Sequence, residues 1–366
     1  MTGPMSTRPV SEGMVEPAQR VPGRITARVA AHLARRARPR WLEAVAWLAA
    51  VAAVLLFPER ALLLNEIAIL ALFALSLDLI LGFAGIVSLG HAAFFGLGAY
   101  AAGILSARGY GDPLLGLALA AAVSAALGFA TSFLLMRGTD LTRIMVTMGI
   151  GMMLYELANR LGWLTGGADG LQGVAVAPLF GLFDFDFLGH TAVRYSMGVL
   201  FALFVVARVV TSSSFGMALR AVKGNPLRAA AIGIPVRARL VAVYTIAAAY
   251  AGVAGALLAQ TTQFVSLDVL DFRRSADVML MVIIGGAGTL YGALGGAIVF
   301  RAMQNWLSGI TPQYWEFWIG FLLVVLVLVG HERIVRGLPV LARKAFGRVR
   351  PGARAGVPRG EARGRT

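Results

Sequence analysis

Long runs of apolar residues constrain this chain more than any other feature. A hydrocarbon layer about 30 Å thick is crossed by a helix of roughly 20 apolar residues. Runs of this kind lie near residues 41–58, 61–81, 91–106, 114–136, 144–163, 195–211, 240–260, 276–289, 291–307 and 315–330. Several are short or rich in glycine, so the expected number of spans is eight to ten. Only 14% of residues are charged, against about 25% in a soluble domain. The expected fold is all-α, a polytopic transmembrane helical bundle with glycine-interrupted segments in both halves. The first apolar run follows forty polar residues, so no signal peptide is expected.

Charge orders the spans across the bilayer. Net charge is +15, and the tails carry nearly all of it. Residues 1–40 hold eight arginines and two glutamates; residues 331–366 hold nine arginines, one lysine and two glutamates. Basic flanks stay cytoplasmic. The chain therefore divides into a basic cytoplasmic tail 1–40, a membrane domain 41–330 and a basic cytoplasmic tail 331–366. An even number of crossings then puts loops 137–143 and 212–239 inside too. These carry Arg137 and Arg143, and Arg220, Lys223, Arg228, Arg237 and Arg239. The opposite loops hold Asp112, Asp169, Asp184, Asp186, Asp268 and Asp271. Trp41, Trp163, Trp306 and Trp315 fall at span ends, where indoles favour the interface. Basic tails beside membrane spans suit anionic lipid, and no nucleic-acid partner is expected.

Soluble-enzyme chemistry is missing. The chain has no cysteine, which excludes disulfides, thiolate metal sites and a cysteine nucleophile. Its two lysines, Lys223 and Lys344, do not sit in a GxxxxGK[ST] phosphate loop. The four histidines, His32, His91, His190 and His331, lie in separate regions without metal-ligand spacing. No catalytic residue, metal or cofactor is expected.

Three features stand out. Glycine clusters interrupt two apolar runs, at Gly82–Tyr100 and Ile284–Gly296. Broken backbone at membrane depth is tolerated only beside protein or a water-filled cavity, and a pair of such segments points to a solute path. Gly85, Ser88, Gly90, His91, Gly285, Gly286 and Gly288 are the candidate path residues; close helix packing is the competing reading. Second, Glu66, Asp78 and Glu156 place carboxylates inside spans, with Asn159 near Glu156. A charge there costs about 3 kcal/mol, so these groups should face the bundle interior. Asp78, near a cytoplasmic end, suits a structural role. Third, loop 212–239 reads as a helix over 226–232: Asn225 suits the N-cap, Pro226 the first turn and Gly233 the left-handed stop. Leu227, Ile232 and Ile234 give that helix apolar side chains that need a partner.

At this point the order of motifs resembles a known family. Gly82–Tyr100 resembles the GYxGxxSLGHAAFFGxGAY segment of bacterial branched-chain amino-acid ABC transporter permeases of the LivM type. Leu164–Leu171 resembles the external LTGGxxGL loop, residues 216–234 the cytoplasmic GxALRAxxxN…A…GI loop, and residues 277–292 the late glycine-rich segment. The chain departs from the pattern at Gly224 and Pro226, where an acid is usual.

The resemblance implies an inner-membrane importer subunit without its own ATPase site. It also implies the partners: a LivH-type second permease, two cytoplasmic ABC ATPases and a periplasmic solute-binding protein. Gly166, Gly167, Asp169 and Gly170 would form the external loop. Arg220, Asn225, Leu227, Arg228, Ala230, Gly233 and Ile234 would form the ATPase coupling loop. The solute would be a branched-chain amino acid, or urea, an amide or another small solute. The alternative is an autonomous secondary transporter or channel, with Glu66 or Glu156 as the ion-coupling carboxylate.

Overall fold

The most hydrophobic stretch of the chain, Pro58–Ala84, lies at the centre of the bundle, with 89% of its apolar window buried. Such a helix is apolar on every side because protein surrounds it. The computed structural model describes residues 41–136, 138–178 and 188–310, with isolated positions at 183 and between 314 and 324. Both basic tails, most of the expected span 315–330, and Arg137, Asp184 and Asp186 lie outside the described residues.

The described α-helices of six residues or more are α1 (Trp41–Leu56), α2 (Ala61–Asp78), α3 (Ala92–Ala107), α4 (Pro113–Leu135), α5 (Asp140–Arg160) and α6 (His190–Ser212). They are followed by α7 (Ser214–Gly224), α8 (Pro226–Ala231), α9 (Val236–Thr262), α10 (Phe272–Gly285) and α11 (Leu290–Ile310). The fold is an all-α polytopic bundle; the sole extended pairing among the described residues is a bridge between Leu171 and Val265.

Among the described residues, five helices are long and apolar enough to cross a membrane alone: Pro58–Ala84, α4, α5, α6 and α9. The expected spans 276–289 and 291–307 are instead the limbs of one bent unit. Here α10 and α11 meet at 116° across a break of four residues, and together they count as a sixth. Expected span 91–106 is α3, with 16 residues, and the apolar part of α1 is Val45–Leu56.

Small residues set the packing around α9. Gly255 lies against the Phe95 carbonyl, Gly98 against Gly252, and Gly252 against Ser124, so closely that a Cβ at each would overlap its neighbour. Backbones thereby approach without the hydrophobic driving force that lipid removes. Several polar groups buried in this core find partners. Tyr195 donates to Gln260 Oε1 at 3.0 Å, and Gln260 Nε2 donates to the Pro113 carbonyl at 2.8 Å. Ser196 donates to Asn65 Oδ1 at 2.6 Å. An ion pair between Glu43 and Arg208 and the stacking of Trp47 edge-on to Phe201 hold α1 against α6. By contrast α5 is mostly exposed, presenting Met145, Met152 and Met153 outward.

Candidate functional site

The two glycine clusters, some 200 residues apart in sequence, touch in space. After Asp78 the helix widens into a π-helical turn, Leu79–Ala84, and stops at Gly85, whose φ of 75° is left-handed. Such a bulge marks a departure from regular helix that recurs at functional sites. The Gly288 amide, in the break between α10 and α11, donates to Asp78 Oδ1 at 2.6 Å. Gly82 lies between them, and a Cβ there would overlap both Asp78 Oδ1 and the Gly288 backbone. The Gly82 carbonyl, freed by the end of the helix, accepts from Lys223 Nζ at 2.6 Å. Arg220 lies over the Phe83 ring, 5.1 Å from its centroid. Thus α7 grips the π turn at two points, and the π turn grips the second glycine segment. Asp78 is fully buried and has the structural role expected of it, accepting from Gly288, whereas Glu156, also expected to face the bundle interior, is exposed on α5.

Downstream of Gly85 the backbone is irregular as far as Gly90. Ser88 and His91 are buried. Gly90 sits against the Thr147 carbonyl with no room for a side chain, and the Leu89 amide donates to Thr147 Oγ1 at 3.3 Å. The Ala92 amide, at the start of α3, donates to Ser275 Oγ at 2.9 Å. His91 Nε2 is 2.8 Å from Ser76 Oγ, whose own proton goes to the Phe73 carbonyl at 2.6 Å. Nε2 is therefore the donor to Ser76, and the ring stacks on Phe73 at 5.6 Å. The imidazole is packed into the bundle and lines neither cavity beside it. On the other glycine segment Gly285 lies against the Gly292 carbonyl, and Gly286 and Gly288 have φ of 91° and 89°. Close packing and broken backbone therefore occur together.

Two cavities flank the break at Gly90 and His91. One, about 330 Å³, lies among α2, α10 and α11 and is lined by Glu66, Phe73, Asp268, Asp277, Arg274 and Arg301, among others. The other, about 380 Å³, is lined by Gly90, Ser275, Tyr155 and Glu156; Asp271 borders both. The carboxylates considered for ion coupling are paired: Glu66 with Arg301, and Glu156 with Arg160 at 2.6 Å.

The loop after α5 owes its shape to three glycines. Gly166, Gly167 and Gly170 all have positive φ, and Gly166 lies directly against the Gly170 carbonyl. Leu171 then pairs with Val265, its amide 2.8 Å from the Val265 carbonyl. Asp169 is exposed at the tip.

The 212–239 region forms two short helices. Ser213 caps α7, and Gly216, Leu219 and Val222 bury its inner face. Asn225 Oδ1 accepts from the Arg228 amide at 2.9 Å, Pro226 opens α8, and Gly233 follows it with φ 85°. The helix ends at Ala231, one residue earlier than expected. Leu227 and Ile232 are 83% and 72% exposed, and Ala230 is also exposed. Ile234 instead packs against the protein's own core, and Ala229 is the residue of α8 that anchors it.

Sequence reasoning placed the glycines and the capped helix, but missed Lys223, Thr147, Ser275 and Ser76 as their partners. Asp78, four residues before Gly82 in an apolar run, was the one available signal.

Known proteins resemble this chain in sequence. The family model for the branched-chain amino acid transport system / permease component matches residues 60–329. The chain is 30% identical over 284 residues to the high-affinity branched-chain amino acid transport system permease protein LivM of Salmonella typhimurium, covering 70% of this chain and 65% of that protein. It is 28% identical over 283 residues to LivM of Escherichia coli, with the same coverage. Similarity to the galactose/methyl galactoside import permease protein MglC of Salmonella typhimurium is 26% over 189 residues, 49% of this chain and 55% of that one. The chain thus spans about 65% of the length of its LivM relatives. No solved structure matches it. With the family match enclosing both glycine segments, the loop at Gly166–Gly170 and the α7–α8 region, this multi-pass membrane protein belongs to the branched-chain amino acid transport system permease family.

Proposed function

We propose that this chain is an inner-membrane permease subunit of an ABC importer and forms half of the path for branched-chain amino acids or a related small polar solute. A second, LivH-type permease completes the path, a periplasmic protein delivers the solute, and two cytoplasmic ATPases drive it. Both termini and loop 212–239 face the cytoplasm in this reading. The observation that carries it is the architecture of α7 and α8. One face of this pair is bound to the π turn through Lys223 and Arg220. The other leaves Leu227 and Ile232 exposed outside the spans. An autonomous carrier has no use for such a helix, and its two candidate ion-coupling carboxylates are each held by an arginine.

The cavity among α2, α10 and α11 supports a zwitterionic solute. It offers carboxylates and guanidiniums beside Leu70, Phe73, Met281 and Phe300. That combination suits an ammonium, a carboxylate and a small apolar side chain. The path runs along the breaks at Gly85–His91 and Gly285–Gly288, and the loop around Gly166, Gly167, Asp169 and Gly170 meets the binding protein. The test is reconstitution of the chain with its second permease, ATPases and binding protein in proteoliposomes. ATP-dependent uptake of labelled leucine is expected; uptake independent of ATP and of the other subunits would contradict the proposal.

A further inference from the structure

We propose that Lys223 and Asp78 are positioning residues through which movement of α7 reaches both glycine segments, the Lys223 ammonium passing between the Gly82 carbonyl and the Asp78 carboxylate. This rests on the reading above, in which an ATPase acts on the 212–239 loop.

The geometry makes a short relay. Val222 and Leu219 seat α7 on the bundle, so Lys223 moves with a rigid helix. Its ammonium holds the Gly82 carbonyl at the end of the π turn. On the other side of Gly82, Asp78 holds the Gly288 amide with Oδ1. Asp78 Oδ2 is buried and has no hydrogen-bond partner among the described residues. A buried carboxylate oxygen left in this state is costly, and the ammonium nearby has donors to spare. Gly82 has no side chain to separate the two groups, and a Cβ there would overlap Asp78 Oδ1. Rotation of α7 toward Asp78 would release the Gly82 carbonyl and let Lys223 take the carboxylate. The same exchange loosens the π turn and weakens the hold of Asp78 on Gly288. Two segments distant in sequence would then shift together. Lysine suits this exchange because its charge is compact and its stem flexible.

The experiment uses the complete transporter in proteoliposomes, with leucine-charged binding protein, and compares Lys223→Met, Asp78→Asn, the double variant and Lys223→Arg. Assembly by gel filtration and ATP hydrolysis should stay near wild type, while leucine uptake falls about tenfold in each single variant, the size of a typical coupling free energy. The double variant should be no worse than the singles, because both break one link. Lys223→Arg should recover part of the uptake. Hydrogen exchange at residues 286–289 provides a readout that needs no solute: trapping the ATPases with vanadate should change it in wild type and not in Lys223→Met. Should Lys223→Met fail to assemble, Asp78→Asn, which retains an oxygen for the Gly288 amide, decides. Normal uptake in either single variant, or losses that multiply in the double, would overturn the relay. A wild-type complex that shows the exchange response without leucine uptake would sink the solute assignment and leave the relay standing. One showing neither would sink both.

Discussion

At Gly90 and Gly286 the backbone itself limits what the chain tolerates. A leucine at Gly90 would have to displace the Thr147 carbonyl, and one at Gly286 would sit at a φ of 91° that side chains avoid. Each substitution is expected to lower uptake about tenfold or more while some protein still reaches the membrane, through loss of close backbone approach at Gly90 and backbone strain at Gly286. Normal uptake by both would reduce these segments to ordinary helix. The sequence shows the glycines plainly, since clusters of them in apolar runs have few causes. It does not show their partners. Lys223 reaches Gly82 across 141 positions and Asp78 reaches Gly288 across 210. Pairings over such distances leave no periodic trace in a single sequence. His91 illustrates the same limit. It is a candidate path residue by sequence, and in the fold it donates to the Ser76 hydroxyl three residues past Phe73, whose ring covers it.

Among the elements, α8 was the most legible. Its cap, first turn and stop are local chemistry, and Asn225, Pro226 and Gly233 each take the expected place. Asn225→Ala should therefore cost about 1 kcal/mol of local helix stability, visible as faster hydrogen exchange across 226–232. Unchanged exchange would mean that contacts of Ala229 and Ile234 hold the helix without its cap. Ala230→Glu should leave the fold intact, because Ala230 is exposed. It should reduce both uptake and recovery of the ATPase with the permease if this face is the docking surface. Intact assembly and uptake would move the docking surface elsewhere. The hairpin of α10 and α11 was the least legible. Two apolar runs flanking GGAG read equally well as two crossings, and the 116° bend arises from contacts among Gly285, Gly292, Gly296 and Met281 that only the folded chain makes.

For the whole molecule, the sequence sufficed for fold class because apolar length and low charge leave few alternatives to a helical bundle. It counted spans less well, since glycine breaks divide apolar runs without revealing whether each piece crosses. The proposed orientation rests on charge, and it predicts that a cytoplasm-dependent reporter fused after Thr366 is active; activity only of a periplasmic reporter would reverse the assignment or change the parity of the crossings. The central claim, that a cytoplasmic ATPase drives this permease through α8, has a direct test. The chain contains no cysteine, so Leu227→Cys supplies a single thiol on the exposed face. In membranes holding the assembled transporter, a short thiol-to-amine cross-linker at this position should yield an adduct of the permease with its ATPase, weakened by Ala230→Glu. An adduct with the second permease alone, or none despite ATP-driven uptake, would contradict the account.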